Sequence, residues 1–220
     1  MCGRYAIECE EENIELKEII EEVNRRYAGK PELARLKTGE VFPTDIVPVL
    51  ASDDARPFLM RWGMPRWDLK GAIINARSET AMEKKMFRPS LLARRCVIPS
   101  TGFYEWSHGK TQQPTLFDFE ETSSPAVSGA KNGKGKYLLR IPDAPMLYMA
   151  GFYNAEARMN EAPPSFVILT TAANEWVAPL HDRMPLILQG ESVRRWLTDS
   201  RAAADLLSRP CAARLSARLR

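Results

Sequence analysis

The chain has 220 residues, 45% of them hydrophobic and 9% aromatic, which is enough for one sizeable buried core. Its net charge of +3 admits a polyanionic partner without requiring one, and its four cysteines, Cys2, Cys9, Cys96 and Cys211, form no C-x-x-C pair, so neither a zinc cage nor a disulfide framework is indicated. No apolar run approaches the roughly 20 residues of a membrane span, and the start lacks the charged-then-apolar layout of a secretory leader. The expectation is a soluble protein with reduced thiols in the cytoplasm.

The chain opens MCGRY. Methionine is removed when the next side chain is small, which would leave Cys2 with a free amine and a thiol on one residue. The two titrate near about 8 and 8.5, so both are usable nucleophiles near neutrality. From Glu10 to Tyr27, Leu16, Ile20, Val23 and Tyr27 recur at helical spacing, with acids early and Arg25 and Arg26 late, and one amphipathic helix is predicted. Short apolar runs broken by proline follow: VFPTDIVPVL, RPFLMRWGMPRW, KGAIINARSET, RRCVIPSTGFYEW, QQPTLFDF, GKYLLRI, APMLYMAGFYN and PPSFVILTTA, all read as strands. Residues 120–136, rich in Gly, Ser and Lys, read as a mobile loop joining two strands. After MPLIL, residues 191–220 read as a helical tail whose inward side carries Val193, Trp196 and Leu197. With no repeat and no second core, residues 1–220 are expected to form one α+β domain. Its sheet is curved, mostly antiparallel and barrel-like, with helices at the periphery.

Four stretches could carry chemistry. Strand alternation through KGAIINARSET puts Ile73, Asn75, Arg77 and Glu79 on one face. A solvated face would explain three polar groups there, but Asn and Ala are poor strand formers and their use in mid-strand argues for a hydrogen-bonding role. In STGFYEW, Glu105 lies between Tyr104 and Trp106. A carboxyl desolvated among rings has a raised pKa and suits proton transfer, whereas pairing with an arginine is the competing reading. In PLHDRMPLIL, His181 is bracketed by Pro179 and Pro185 in a turn, as a catalytic or a backbone-bonded histidine; His108, in SHGK, reads as surface. In RWGMPRW, Arg61, Trp62, Arg66 and Trp67 interleave cations with large rings, a mixture suited to single-stranded nucleic acid; Trp62 reads as core and Trp67 as a stacking surface.

The order MCGR, WGMPRW, NARSET, RCVIPSTGFYEW and HDRMPLIL resembles the SOS response-associated peptidase (SRAP) domain family of abasic-site processing proteins, over about residues 2 to 190. The resemblance implies a β-rich α+β domain that binds single-stranded DNA and captures abasic sites covalently through an N-terminal cysteine. It implies that Cys2 is the nucleophile, that Asn75 positions it, that Glu105 and His181 handle protons, and that Arg4, Arg66, Arg77 and Trp67 lie along the DNA. An abasic sugar opens to an aldehyde, an amine condenses with it to an imine, and a thiol on the same residue closes a five-membered thiazolidine. That needs no metal and no cofactor. The partner is then single-stranded DNA containing abasic sites, with the protein a monomer, and loss of a proton from the imine would cut the strand as a lyase does.

Two other classes stay open at this level. A cysteine with a histidine and a glutamate nearby is also an N-terminal-nucleophile hydrolase, or peptidase, acting on an amide and able to remove its own Met1. A non-catalytic binding module would make Cys2 incidental. The terminal run TDSRAAADLLSRPCAARLSARLR lacks a recognisable last strand, and the 120–136 loop is longer than the resemblance implies.

Overall fold

The computed structural model describes residues 2–66, 71–107, 135–154 and 163–220. In chain order, strand β1 (Arg4–Ile7) leads to helix α1 (Ile14–Arg26), a 3-10 turn (Leu33–Arg35), and strands β2 (Gly39–Val41), β3 (Ile46–Ala51), β4 (Arg56–Trp62), β5 (Met64–Pro65), β6 (Ala72–Ile73) and β7 (Asn75–Arg77). Helices α2 (Ser78–Ala81) and α3 (Arg88–Ala93) precede β8 (Arg95–Ser100), β9 (Gly102–Trp106), β10 (Lys136–Arg140), β11 (Leu147–Asn154) and β12 (Ser165–Ala172). The chain ends with β13 (Arg183–Pro185), β14 (Ile187–Leu188), α4 (Ser192–Thr198), α5 (Ser200–Ser208) and β15 (Ser216–Leu219).

The larger sheet curls on itself. Strands β12, β4, β3, β8 and β11 are hydrogen-bonded in that order, and β11 pairs back onto β12, which closes a ring. Every pairing in it is antiparallel except β12 with β4, and β7 also joins β12 in parallel. Closure removes the exposed edges that an open sheet of Val- and Ile-rich strands would present. The second sheet, in the order β15-β10-β9-β1-β2, lies over one side. The α+β class and the curved, mostly antiparallel, barrel-like sheet match the expectation.

The chain passes between the sheets from β8 to β9, at Ser100–Gly102. Ser100 Oγ donates to the Ala6 carbonyl at 3.0 Å and the Thr101 amide donates to the same oxygen at 2.8 Å. Gly102 is needed there because a Cβ would meet the Leu139 carbonyl oxygen at 2.7 Å. Helix α1 is capped by Asn13, whose side chain accepts from the Leu16 amide at 3.1 Å and donates to the Pro145 carbonyl. It buries Leu16, Ile19 and Val23, while Ile20 and Tyr27 are only partly covered. Trp62 is fully buried, edge-on to Tyr5 at 5.1 Å, and donates its indole N–H to the Ile74 carbonyl at 3.0 Å.

Several expectations need correction. The strand read through KGAIINARSET ends at Arg77, and Glu79 sits in the first turn of α2, so it does not share a strand face with Asn75. MPLIL is split between β13 and β14. The tail is helical as far as Ser208, with Trp196 and Leu197 buried and Val193 half-buried, and then forms β15 against β10, pairing Leu219 with Tyr137. Lys136, placed at the end of the 120–136 loop, begins β10. The stretch QQPTLFDF, His108 and most of that loop lie outside the described residues.

Candidate active site

The site forms where β1 enters the smaller sheet. Cys2 precedes β1 and is fully buried, and its thiol donates to the Arg4 carbonyl at 3.6 Å. Burial pushes the thiol far above its ordinary range, and the neighbouring Glu105 charge adds to the effect. This is a protonated, uncharged sulfur.

Asn75, the first residue of β7, reaches across to Cys2. Its Nδ2 donates to the Cys2 carbonyl at 2.8 Å, a contact that fixes which end of the amide is which. Its Oδ1 is buried and, among the described residues, has no hydrogen-bond partner. A buried acceptor without a donor costs about 1–3 kcal/mol, so a site that keeps one is arranged to receive an N–H.

Glu105 comes from β9, paired through Tyr104 and Phe103 with Arg4 and Tyr5 of β1. Alternation turns Glu105 and Phe103 toward the main core, while Tyr104 and Trp106 pack on the other face with Ala6 and Leu138. The core, rather than its chain neighbours, therefore desolvates the carboxyl. At 2% exposure its pKa is raised from 4.5 to about 7, by burial first and by the Asp182 charge in the same sense. Near neutrality such a group both gives and takes a proton.

His181 closes a turn in which its own amide donates to the Val177 carbonyl at 3.0 Å. Its Nδ1 accepts from the Arg183 amide at 2.9 Å and lies 2.8 Å from Asp182 Oδ1. The first contact suits a neutral ring and the second an imidazolium. The amide is backbone, at the first residue of β13, whereas the Asp182 carboxylate is 85% exposed and screened, so the amide contact is the one that marks Nδ1 as an acceptor. Asn75 bonds Cys2, the Glu105 charge reaches Cys2, and the charge of Asp182, which adjoins the His181 ring, reaches Glu105; residues from distant parts of the chain thus neighbour Cys2, and His181 is linked to them through Asp182.

Of the expected DNA contacts, Arg4 is half-exposed. Its guanidinium donates to Glu40 Oε1 at 3.1 Å and lies 4.5 Å from the Phe42 ring centre and 5.1 Å from that of Trp106. Lys136 shares the same carboxylate at 2.7 Å, 4.1 Å above the Tyr104 ring. Desolvation works against ionisation of Glu40, but Lys136 and Arg4 outweigh it and hold the carboxyl below its usual value. Arg77 and Arg66 are exposed, Arg77 at the end of β7 beside Glu79. Trp67 lies outside the described residues. Glu40, Phe42 and Lys136 escaped sequence reasoning because each sits in, or directly after, a strand whose pairing with β1 or β9 the residues alone do not specify. Arg183 also escaped it, although it stands two residues from His181: its guanidinium forms a two-pronged pair with Glu79, at 2.6 and 2.9 Å. That pair, chiefly through its hydrogen bonds, keeps Glu79 ionised. Among the described residues no cluster of metal ligands occurs and no helix is long and apolar enough to cross a membrane.

A β-closed α+β domain in which a buried cysteine just ahead of the first strand accepts a bond from a half-buried asparagine and neighbours a buried glutamate defines a particular class. The SOS response associated peptidase (SRAP) family profile matches residues 1–218, and the chain belongs to that family. It is 31% identical over 216 residues to the abasic site processing protein YoqW of Bacillus subtilis, covering 94% of this chain and 84% of that one. It is 28% identical over 201 residues to the abasic site processing protein YedK of Escherichia coli, covering 90% and 79%. With the abasic site processing protein HMCES of Rattus norvegicus it shares 34% over 162 residues, 66% of this chain and 46% of the relative. In fold it is similar to a protein of Bacteroides thetaiotaomicron at a TM-score of 0.70 and 22% identity, covering 99% of this chain and 91% of that one.

Proposed function

We propose that this protein processes abasic sites in single-stranded DNA by capturing the sugar aldehyde on Cys2 once Met1 has been removed. The observation that carries the reading is the vacant Asn75 Oδ1 beside Cys2, on an amide already oriented by its bond to the Cys2 carbonyl. An α-amine on Cys2 supplies the missing N–H, and its lone pair is then held for attack.

The steps balance without a cofactor. The amine nitrogen attacks C1′ of the open sugar, and the carbinolamine loses water to give an imine. The thiol adds to the imine carbon, its proton passes to nitrogen, and the thiazolidine closes; one water leaves overall. His181 donates to the ring oxygen and the proton of the anomeric hydroxyl replaces the one given, so the hemiacetal opens with no net proton change. Glu105, near 7, protonates the departing hydroxyl, recovers that proton from the iminium nitrogen, and relays the thiol proton to nitrogen as the ring closes. A buried, protonated thiol fits this order, in which nitrogen reacts first and sulfur second. It fits a cysteine hydrolase poorly, because that reaction needs a thiolate at the outset. Loss of a proton next to the imine carbon would instead cut the strand, so a lyase side reaction accompanies the capture. Arg4, Arg66 and Arg77 bind phosphates without reading bases.

The test is incubation with single-stranded DNA holding one abasic site. A denaturation-resistant adduct that maps to Cys2 by mass spectrometry is expected, with no adduct on intact DNA and none when residues precede Cys2. Cys2→Ser separates the classes, since a hydroxyl amine does not give a lasting ring with an aldehyde. Turnover of an amide substrate by Cys2→Ser, with no adduct on wild-type protein, would overturn the reading.

A further inference from the structure

Two parts of the site come from opposite directions along the larger sheet. Asn75 is carried by β7 and His181 by the turn before β13, and both strands border β12, with Ile168 opposite Asn75 and Ala172 opposite Arg183. One side-chain pair bridges them. Arg183 donates from Nη1 to Glu79 Oε1 at 2.6 Å and from Nη2 to Glu79 Oε2 at 2.9 Å, and Nη2 also donates to the Thr170 carbonyl at 2.7 Å. The same Arg183 gives its backbone amide to His181 Nδ1 at 2.9 Å.

We infer that Glu79 is a positioning residue: it anchors Arg183, and through the Arg183 amide fixes His181 as the tautomer whose ring proton is on Nε2. The inference rests on the proposed role of His181 as the proton donor that opens the sugar ring. An imidazole that accepts at Nδ1 carries its proton at the other nitrogen, and the anchor keeps that arrangement from turning over. A bidentate carboxylate–guanidinium pair resists both translation and twist, which one surface hydrogen bond does not. The Arg183 side chain is 13% exposed and the Glu79 side chain 45%, so the arginine is seated in the protein and the carboxylate closes it from the solvent side. Asp182, beside the ring at 2.8 Å, would draw the proton to Nδ1 were the amide to move away.

Two measurements decide it. The first needs no substrate: nitrogen-15 NMR of the histidines at a pH about two units above the ordinary value near 6.5. With only His108 and His181 in the chain, His181→Ala assigns the signals. Wild type should show His181 protonated at Nε2, and Glu79→Gln a mixture of tautomers. A wild-type ring protonated at Nδ1, or a Glu79→Gln spectrum identical to wild type, would overturn the proposal. The second compares capture of a ring-closing abasic site with capture of an acyclic aldehyde tethered in the same strand. Glu79→Gln should slow the first roughly tenfold and leave the second unchanged. Added to His181→Ala it should cost nothing more. Equal slowing on both substrates, or additive losses, would make Glu79 merely structural. Arg183→Lys, which keeps the charge but not the fork, should behave as Glu79→Gln does. If wild type captures neither aldehyde, the proposed function fails, and the NMR result still judges the anchor.

Discussion

Asn75 and Cys2 are joined by one 2.8 Å hydrogen bond in which the amide nitrogen serves the Cys2 carbonyl and the amide oxygen is left buried without a described partner. The two ends of one side chain thus have different tasks. In the proposed capture, Nδ2 holds the Cys2 backbone and Oδ1 receives the amine. Asn75→Ala removes both, and the adduct should form about 10- to 100-fold more slowly, as expected when a reacting group is misplaced by an ångström or so. Asn75→Asp keeps an acceptor but replaces the donor, and sets a carboxylate against the Cys2 carbonyl. Its capture rate should fall as well. Rates of gel-shifted adduct read the effect, and wild-type speed in Asn75→Ala would refute the assignment.

Glu105 gives a prediction in pH. Its folded-state pKa of about 7 lies above the ordinary 4.5, and burial is the main cause. The protonated form is therefore the one the fold prefers. The associated stability is present in full below 4.5, declines as pH rises toward 7 and is gone above it, an amount on the order of 3 kcal/mol. Glu105→Gln mimics the neutral carboxyl, so the variant should lose this pH dependence and be more stable than wild type at pH 8. It should also capture aldehydes more slowly at every pH, by roughly 100-fold. Urea unfolding from pH 4.5 to 8 checks the first half. A wild-type curve that rises over that interval would reverse the sign and sink the assignment.

The contrast between what the residues disclosed and what they concealed follows the range of the forces involved. Local patterns were readable: the helix that carries Leu16 and Val23, the desolvation of Glu105, the turn around His181. Even there the period was imprecise, since Ile19 rather than Ile20 faces the core, a difference of one position on the helix wheel. The end of β7 was also within reach, because Ser-Glu-Thr-Ala with an acid in the first turn is a helix start that the preceding strand pattern masked. What could not be read is long-range pairing. Nothing in SARL says that it completes a sheet with β10, and nothing in GEVF says that Glu40 and Phe42 meet Arg4. Cys2, Asn75, Glu105 and His181 were grouped by the family resemblance; the fold adds the Asn75–Cys2 bond, the Glu105 charge beside Cys2 and Asp182 beside His181, and the use made of these is what the variants test.

Glu40 sets up a prediction with an unusual direction. Its carboxylate is shared by Lys136 and by Arg4, which the proposed function sets against a phosphate. An anion there competes with the DNA backbone for the same donors. Glu40→Gln should therefore tighten binding to undamaged single-stranded DNA, about three- to tenfold at low salt, with a steeper fall as salt is raised. Arg4→Ala should weaken it uniformly across sequences and reduce the slope of log affinity against log salt by about 0.7. Fluorescence anisotropy over a salt series measures both. If Glu40→Gln binds more weakly than wild type, the carboxylate is orienting Arg4 rather than competing for it.

Gly102 tests how β1, the strand that follows Cys2, is held. The residue pairs with Ala6 and stands at the passage from the closed sheet to the smaller one. A methyl group in its place would lie 2.7 Å from the Leu139 carbonyl oxygen and 2.9 Å from Arg140 Cγ and Leu138 Cδ1. The side-chain atoms have room to swing, but the carbonyl belongs to β10 and moves only if the β9–β10 ladder opens. Gly102→Ala should thus cost about 1–3 kcal/mol, and lower Tm by roughly 2–4 °C for each of them in a chain of this size. Because β9 also carries Glu105 and pairs with β1 behind Cys2, the displacement should reach the site. Capture should slow more than global stability accounts for, even at temperatures where the variant is fully folded. Full activity in a measurably destabilised Gly102→Ala would show that the β1–β9 register tolerates the shift and that Cys2 is placed by Asn75 alone.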